Sequence, residues 1–167
     1  MRSGDIARAA PADQPDTKIT FTFATNVPEI AVPPSNPAHI ATVADLAKPG
    51  VKVTLCGSVP IGALAAQVFT KAGVTVKPVT PEADVKATLT KVERGEVDAG
   101  VVYVTDVEVA GSKVTGTPIP AALNGSTKYP IPTRTGSKNA ALAQAFVDYV
   151  LSADGSAVLT VQGFGKP

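Results

Sequence analysis

Between Val51 and Val104 the apolar residues switch repeatedly between two spacings, and few folds accept such a switch. Val51, Val53 and Leu55 alternate with polar neighbours, which lays one face of an extended chain against a core. Ile61, Leu64, Ala65, Val68, Phe69 and Ala72 then recur at i, i+3, i+4, i+7, i+8 and i+11, the stripe of an amphipathic helix. Gly73 fits the left-handed position that ends such a helix, and Val74–Val79 reads as a short second strand. Val85, Leu89 and Val92 line one side of a helix from about Pro81 to Arg94, closed by Gly95, before the apolar strand Ala99–Val104. Strand, helix, strand, helix, strand in this order implies parallel β-α-β packing.

The flanks read differently. Residues 1–20 are rich in Ala, Asp, Pro and Gly without sustained periodicity, the composition of a loose leader, so order is expected from near Phe21. Ile19–Ala24 and Glu29–Val32 read as extended, with Pro33-Pro34 stopping the second segment. Thr42 is placed to cap a short helix over 42–47, ended by Pro49-Gly50. Thr115–Pro120 and Lys128–Thr133 read as extended, their prolines favouring edge or hinge positions. The end is helical: Leu142, Ala145, Phe146, Tyr149 and Val150 form a wide apolar stripe, and Ser152 opens a last helix running to about Val161, stopped by Gly163.

Several function classes fall away on composition. A net charge of +1, with Lys and Arg scattered rather than clustered, lacks the basic stripe that nucleic-acid binding requires. Any bound anion must then be held by local dipoles and hydroxyls. The single cysteine, Cys56, sits in an apolar run and reads as a packed small hydrophobe; the single histidine, His39, reads as a surface-loop residue. No nucleophile–base pair, metal-ligand spacing or phosphate loop is visible, so an enzyme is not expected. A regulator's effector domain lacks support too, because no DNA-binding helix pair precedes the lobe. No apolar run approaches the ~20 residues that span a bilayer, and Met1–Asp5 does not open a secretory signal.

Short stretches carry a further signal through their order. They are Phe23-Ala24-Thr25-Asn26, Ile30-Ala31-Val32-Pro33-Pro34, Ala44 to Gly50, Ser58-Val59-Pro60-Ile61-Gly62, Asp84-Val85-Lys86 and Gly100 to Asp106. Tyr129-Pro130-Ile131, Ala143 to Val150 and Gly163-Phe164 complete the set. In this order and spacing, from about Thr22 to Pro167, the chain resembles the molybdate-binding proteins of ABC transporters. The resemblance implies an α/β fold of the type II periplasmic-binding kind, in which two lobes joined by crossing strands close on a tetrahedral oxyanion. Residues 21–33 and 128–133 would be the hinge-crossing strands, 34–127 one complete α/β lobe, and 134–167 the C-terminal helical part of an incomplete first lobe. The first lobe's opening strands and serine-bearing loops find no counterpart in residues 1–20, so a chain truncated at its N-terminus is expected.

The same resemblance places ligand contacts on Ile61 and Val85, through main-chain N–H groups, and on Tyr103, through its hydroxyl. The chemistry is apt, because an enclosed dianion needs directed donors in place of water, and helix N-termini supply free amides with roughly half a positive charge. Related chains often carry Ala or Cys where Ile61 stands, so its size bears on cleft width. Asp84 and Asp106 read as helix caps, and Lys86, Lys91, Glu93 and Arg94 as a solvated helix face. The expected ligand is molybdate or tungstate, with molybdenum present only as the bound oxyanion and without protein ligands, and with no cofactor. The expected partner is a membrane ABC permease, and the expected location of the intact protein is periplasmic or a surface lipoprotein. The alternative is a truncated form that binds oxyanion weakly or not at all and acts as an interaction module or inert remnant. In that form the stripe Leu142, Phe146, Tyr149 would be exposed and favour self-association.

Overall fold

A computed structural model describes residues 17–57 and 60–167. In chain order its elements are β1 (Thr17–Asn26), β2 (Pro28–Val32), β3 (Val53–Cys56), α1 (Ile61–Ala72), β4 (Thr80–Glu82), α2 (Val85–Glu93), β5 (Ala99–Tyr103), α3 (Val104–Ala110), β6 (Thr115–Pro118), β7 (Thr127–Arg134), α4 (Ala140–Leu151) and α5 (Ala153–Val161). Five strands form one sheet in the order β4-β3-β5-β2-β6, and β1 pairs with β7 as a separate two-stranded ribbon. β3 runs parallel to both β4 and β5, as the alternation of strand and helix demands, whereas β2 is antiparallel to β5 and β6.

Side-chain alternation along the central strands feeds two cores. Ile30, Val32, Val53, Val101 and Tyr103 face α1 and bury Ile61, Leu64, Ala65, Val68 and Phe69. Ala31 and Val102 face the other way and pack with Leu89 and Val92 of α2 and Ala110 of α3. β5 is buried along its whole length, because helices cover both its faces. Gly100 lets α2 lie close on β5: a Cβ there would stand 2.8 Å from Thr88 Cγ2 and 3.2 Å from Val92 Cγ2. α4 and α5 pack against the ribbon instead of the sheet, and Val147 is the buried residue of α4.

Several expectations need correction. β1 already runs from Thr17, ahead of the ordered start near Phe21; the rest of the expected leader, residues 1–16, lies outside the described residues. Val74–Val79 is not a strand. The Val74 amide is bound to Phe69 O as the helix end turns, Val74 and Val76 pack on the core, and Pro78 has no donor for a ladder. The second parallel strand is β4, three residues long at the sheet edge, where Pro81 is tolerated. α2 therefore starts at Val85, not Pro81. The short helix expected over 42–47 is a 3₁₀ helix over Val43–Ala47 with Thr42 at its N-cap, and the Asp45 carboxylate accepts from the Ala41 and Thr42 amides at 3.0 and 2.8 Å. β5 ends at Tyr103, since Val104 already opens α3. Cys56 is buried, and His39 is exposed in a loop at φ 50°.

One buried acid lies in the middle of this sheet. Glu29 on β2 is 8% exposed, and its carboxylate lies over Gly116, where an added Cβ would meet Oε1 at 2.6 Å. Burial first, and then the negative charge of Glu108, raise its pKa above the usual carboxylate value. A carboxyl group whose folded pKa is raised stabilises fully below its unfolded value, and that stability is lost as pH climbs through the folded value. Glu29→Gln should therefore melt higher than the wild type at about pH 7, with the gap closing near about pH 4. Thermal melts of both chains across that range check the sign, and a gap that widens on acidification contradicts it.

Candidate functional site

Parallel neighbours end at the same edge of a sheet, so β3, β4 and β5 deliver their following helices to one side. β3 leads through residues 57–60 into α1, with Ser58 and Val59 outside the described residues. Gly57 donates its amide to Glu82 O at 2.8 Å, which ties the β3 exit to the end of β4. Gly62 brings the first turn of α1 against β3: a Cβ there would stand 2.6 Å from the main-chain oxygen of Cys56. The N-cap of α1 is Pro60, which makes no side-chain cap hydrogen bond, so the first turn is not closed from the cap position. At α2 the N-cap is Asp84, whose Oδ1 accepts from the Ala87 amide at 2.8 Å and leaves the Val85 amide outside the cap.

Ile61 and Val85 are each the first residue of their helix, and their side chains turn inward. Ile61 is 2% exposed and belongs to the same buried cluster as Tyr103, on which Val85 also packs. The bulk of Ile61 thus lies in the core rather than in front of the helix, and what either residue can offer a ligand is its N–H. Tyr103 stands at the end of β5 and the N-cap of α3, 8% exposed. Its hydroxyl is 2.9 Å from Thr127 Oγ1, at the start of β7. Burial pushes the Tyr103 phenol up to about 12, against the pull of the Thr127 hydrogen bond, so it is a neutral donor throughout the physiological range.

Sequence reasoning missed the polar groups around Tyr103. Asn26 is 3% exposed at the end of β1, and its Nδ2 donates to Thr105 Oγ1 at 2.8 Å. The Asp106 carboxylate accepts the Tyr103 amide at 2.9 Å, which makes it the cap of α3; burial raises its pKa and that amide bond lowers it. Tyr129 packs its ring against Phe23 and, edge-on, against Phe164. Thr127 falls one residue before the segment read as extended, and nothing in its neighbourhood marks it as a partner of a residue twenty-four positions earlier. Asn26 lies between the two segments read as extended, Ile19–Ala24 and Glu29–Val32, where nothing local marks it for burial.

The charged face of α2 behaves as a solvated surface. Lys91 Nζ is held by Glu82 Oε1 at 2.7 Å and Thr80 Oγ1 at 3.0 Å, and the adjoining 420 Å³ hollow mixes Glu82, Asp84 and Glu96 with Lys86, Lys91 and Arg94. A second hollow, 290 Å³, lies between the ribbon and the C-terminal helices and is lined by apolar residues such as Phe23, Ile131 and Phe146. Neither is lined by Ile61, Val85 or Tyr103.

Two helix starts and an uncharged phenol thus lie at one sheet edge, beside a two-stranded ribbon. The chain belongs to the bacterial extracellular solute-binding protein family, whose model matches residues 3–165. A curated relative, the molybdate-binding protein ModA of Mycobacterium tuberculosis, is 38% identical over 146 residues, covering 87% of this chain and 56% of the relative. The chain thus spans little more than half the length of that relative. Among solved structures, the substrate-binding domain of a putative molybdenum ABC transporter from Clostridium difficile superposes with a TM-score of 0.75 at 23% identity, covering 89% of this chain and 66% of the other. The periplasmic molybdate-binding protein of Azotobacter vinelandii gives a TM-score of 0.70 at 18% identity, covering 92% and 70%. The fold is that of the type II periplasmic binding proteins, over part of their length.

The tightest joint in this edge is Gly62 against Cys56 O, a contact with main chain that cannot rotate away. Gly62→Ala should therefore cost about 1–3 kcal/mol, as overpacking of a filled interior does. Urea unfolding checks this, and a loss below about 0.5 kcal/mol would mean that α1 shifts freely.

Proposed function

We propose that this chain takes part in capture of a tetrahedral oxyanion, molybdate or tungstate, for delivery to an ABC permease in the membrane. What supports the reading is that α1 and α2 begin at Ile61 and Val85 on the edge where the parallel strands end, the same edge at which β5 finishes in Tyr103. Open α/β sheets take ligands at that edge. A dianion there would be stabilised by two helix dipoles and a hydroxyl. In this reading no protein atom ligates the metal, no bond is made or broken, and the intact protein works outside the cytoplasm. The similarity to a protein named for molybdate binding, over most of this chain, supports the choice of anion.

Calorimetric titration of the chain with molybdate, tungstate, sulfate and phosphate tests it. Molybdate and tungstate should bind and the other two should not. Tyr103→Phe should weaken molybdate binding about 10–100-fold, the equivalent of one hydrogen bond to a charged group at about 1.5–3 kcal/mol. Preference for sulfate, or indifference to Tyr103→Phe, would refute the reading.

A second reading, association through an apolar face, is favoured by a separate observation. Leu142, Phe146 and Tyr149 on α4 are 72%, 60% and 55% exposed, and Val158 and Val161 on α5 are 59% and 78% exposed. An apolar stripe of this length favours contact with a second apolar surface. Sedimentation should show a mass that rises with concentration, and Phe146→Asp should return the chain to monomer. A monomer at every concentration rules it out.

A further inference from the structure

We infer that Thr127 is a positioning residue for the oxyanion donor Tyr103: its hydroxyl turns to donate to the phenolic oxygen, freeing the single phenol proton for the ligand. The inference rests on the oxyanion reading above, and it follows from counting protons. A tyrosine hydroxyl has one hydrogen to give and can accept at its oxygen, while a fully ionised tetrahedral oxyanion only accepts. Tyr103 Oη and Thr127 Oγ1 are 2.9 Å apart, and either can be the donor. If Tyr103 spends its hydrogen on Thr127, nothing is left for an anion. Only the opposite polarity, Thr127 to Tyr103 to ligand, lets the phenol serve, and a chain of hydroxyls aligned in that direction strengthens each of its bonds.

The surroundings fix the pair in place. Tyr103 is 8% exposed and its ring belongs to the buried cluster under α1, so its oxygen has little freedom to leave Thr127. Thr127 lies on the ribbon, opposite Asn26, which is itself bound to Thr105 of α3. The hydroxyl that orients the donor is thus carried by a strand outside the five-stranded sheet that carries Tyr103. Ligand binding and ribbon position are thereby linked through one bond.

The test is a double-mutant cycle read by molybdate calorimetry, together with a measurement that needs no ligand. Thr127→Val should weaken molybdate binding about 5–20-fold when Tyr103 is present and have no further effect in the Tyr103→Phe background, while Thr127→Ser should restore binding. An equal penalty in both backgrounds overturns the inference and leaves the oxyanion reading standing. A wild-type chain that binds sulfate in preference to molybdate removes that reading first. Independently, the ring ¹³Cζ shift of labelled Tyr103, followed to high pH, reports whether Thr127 can donate, since losing a donor to the phenolate makes ionisation harder. Thr127→Val should ionise less than the wild type at the same pH. Unchanged or easier ionisation overturns the inference whatever the calorimetry gives.

Discussion

The parallel pairing of β3 with β5 is the constraint from which the rest of the site follows. Val53 stands beside Ala99 and Leu55 beside Val101, so both strands point the same way and finish at the same edge. That alone brings the start of α1 and the ring of Tyr103 into one buried cluster. β4 lies on the far side of β3, so the chain steps outward from β3 and returns across it to β5. The two crossover helices consequently cover opposite faces of the sheet. Two glycines make the geometry reachable. Gly100 lets α2 settle on β5, and Gly62 lets α1 begin directly against the end of β3.

Electrostatics at that edge rest on partial charges. The closest ionisable group to Tyr103 on the following helix is Asp106, an acid, and its carboxylate is occupied by the Tyr103 amide. A second acid, Asp84, caps α2 through Ala87 and not through the leading amide. Each carboxylate satisfies one main-chain amide, that of Ala87 for Asp84 and that of Tyr103 for Asp106, and the Val85 amide stays outside the cap. In the proposed reading such an edge suits an anion whose charge is spread over four oxygens, and a chain with net charge +1 needs no basic patch to hold it.

How much of this was legible depended on whether the signal was local. The helix over 61–72 was visible because six apolar residues hold one face and Gly73, at φ 67°, ends it. The strand ending at Tyr103 was visible because burial on both faces leaves a continuous apolar run. Val74–Val79 misled for the opposite reason. Alternating valines look like a strand, but Val74 is used in ending α1 and Pro78 has no amide to donate, so the first bond to β3 comes from the Val79 amide and the ladder starts at Thr80. The antiparallel insertion of β2 between β5 and β6 has no local signature at all; it depends on which strands meet. Placing donors on Ile61, Val85 and Tyr103 came from resemblance, since no spacing rule singles out an amide. Thr127 and Asn26 escaped because their partners are distant in sequence, and a hydroxyl in a polar stretch looks like any other.

A two-stranded ribbon has little stability of its own, yet this one carries Thr127, which bonds the Tyr103 hydroxyl, and Asn26, which bonds Thr105. What holds it is the end of the chain. Thr25 and Gly165 exchange amide bonds at 2.9 and 2.8 Å, and Phe164 packs edge-on against Tyr129, which in turn packs on Phe23. Tyr129 shares β7 with Thr127, Asn26 reaches Thr105, and Thr127 reaches Tyr103. The last few residues are therefore linked to the donor at the sheet edge through a short series of contacts, each made by an uncharged group. Loosening Phe164 would free the ribbon before it disturbed the five-stranded sheet, because the sheet's own cores contain no residue beyond Leu123. Stability of the lobe and order at its donor edge are thus separable properties of this fold, the first set by β3 and β5 and the second by the ribbon.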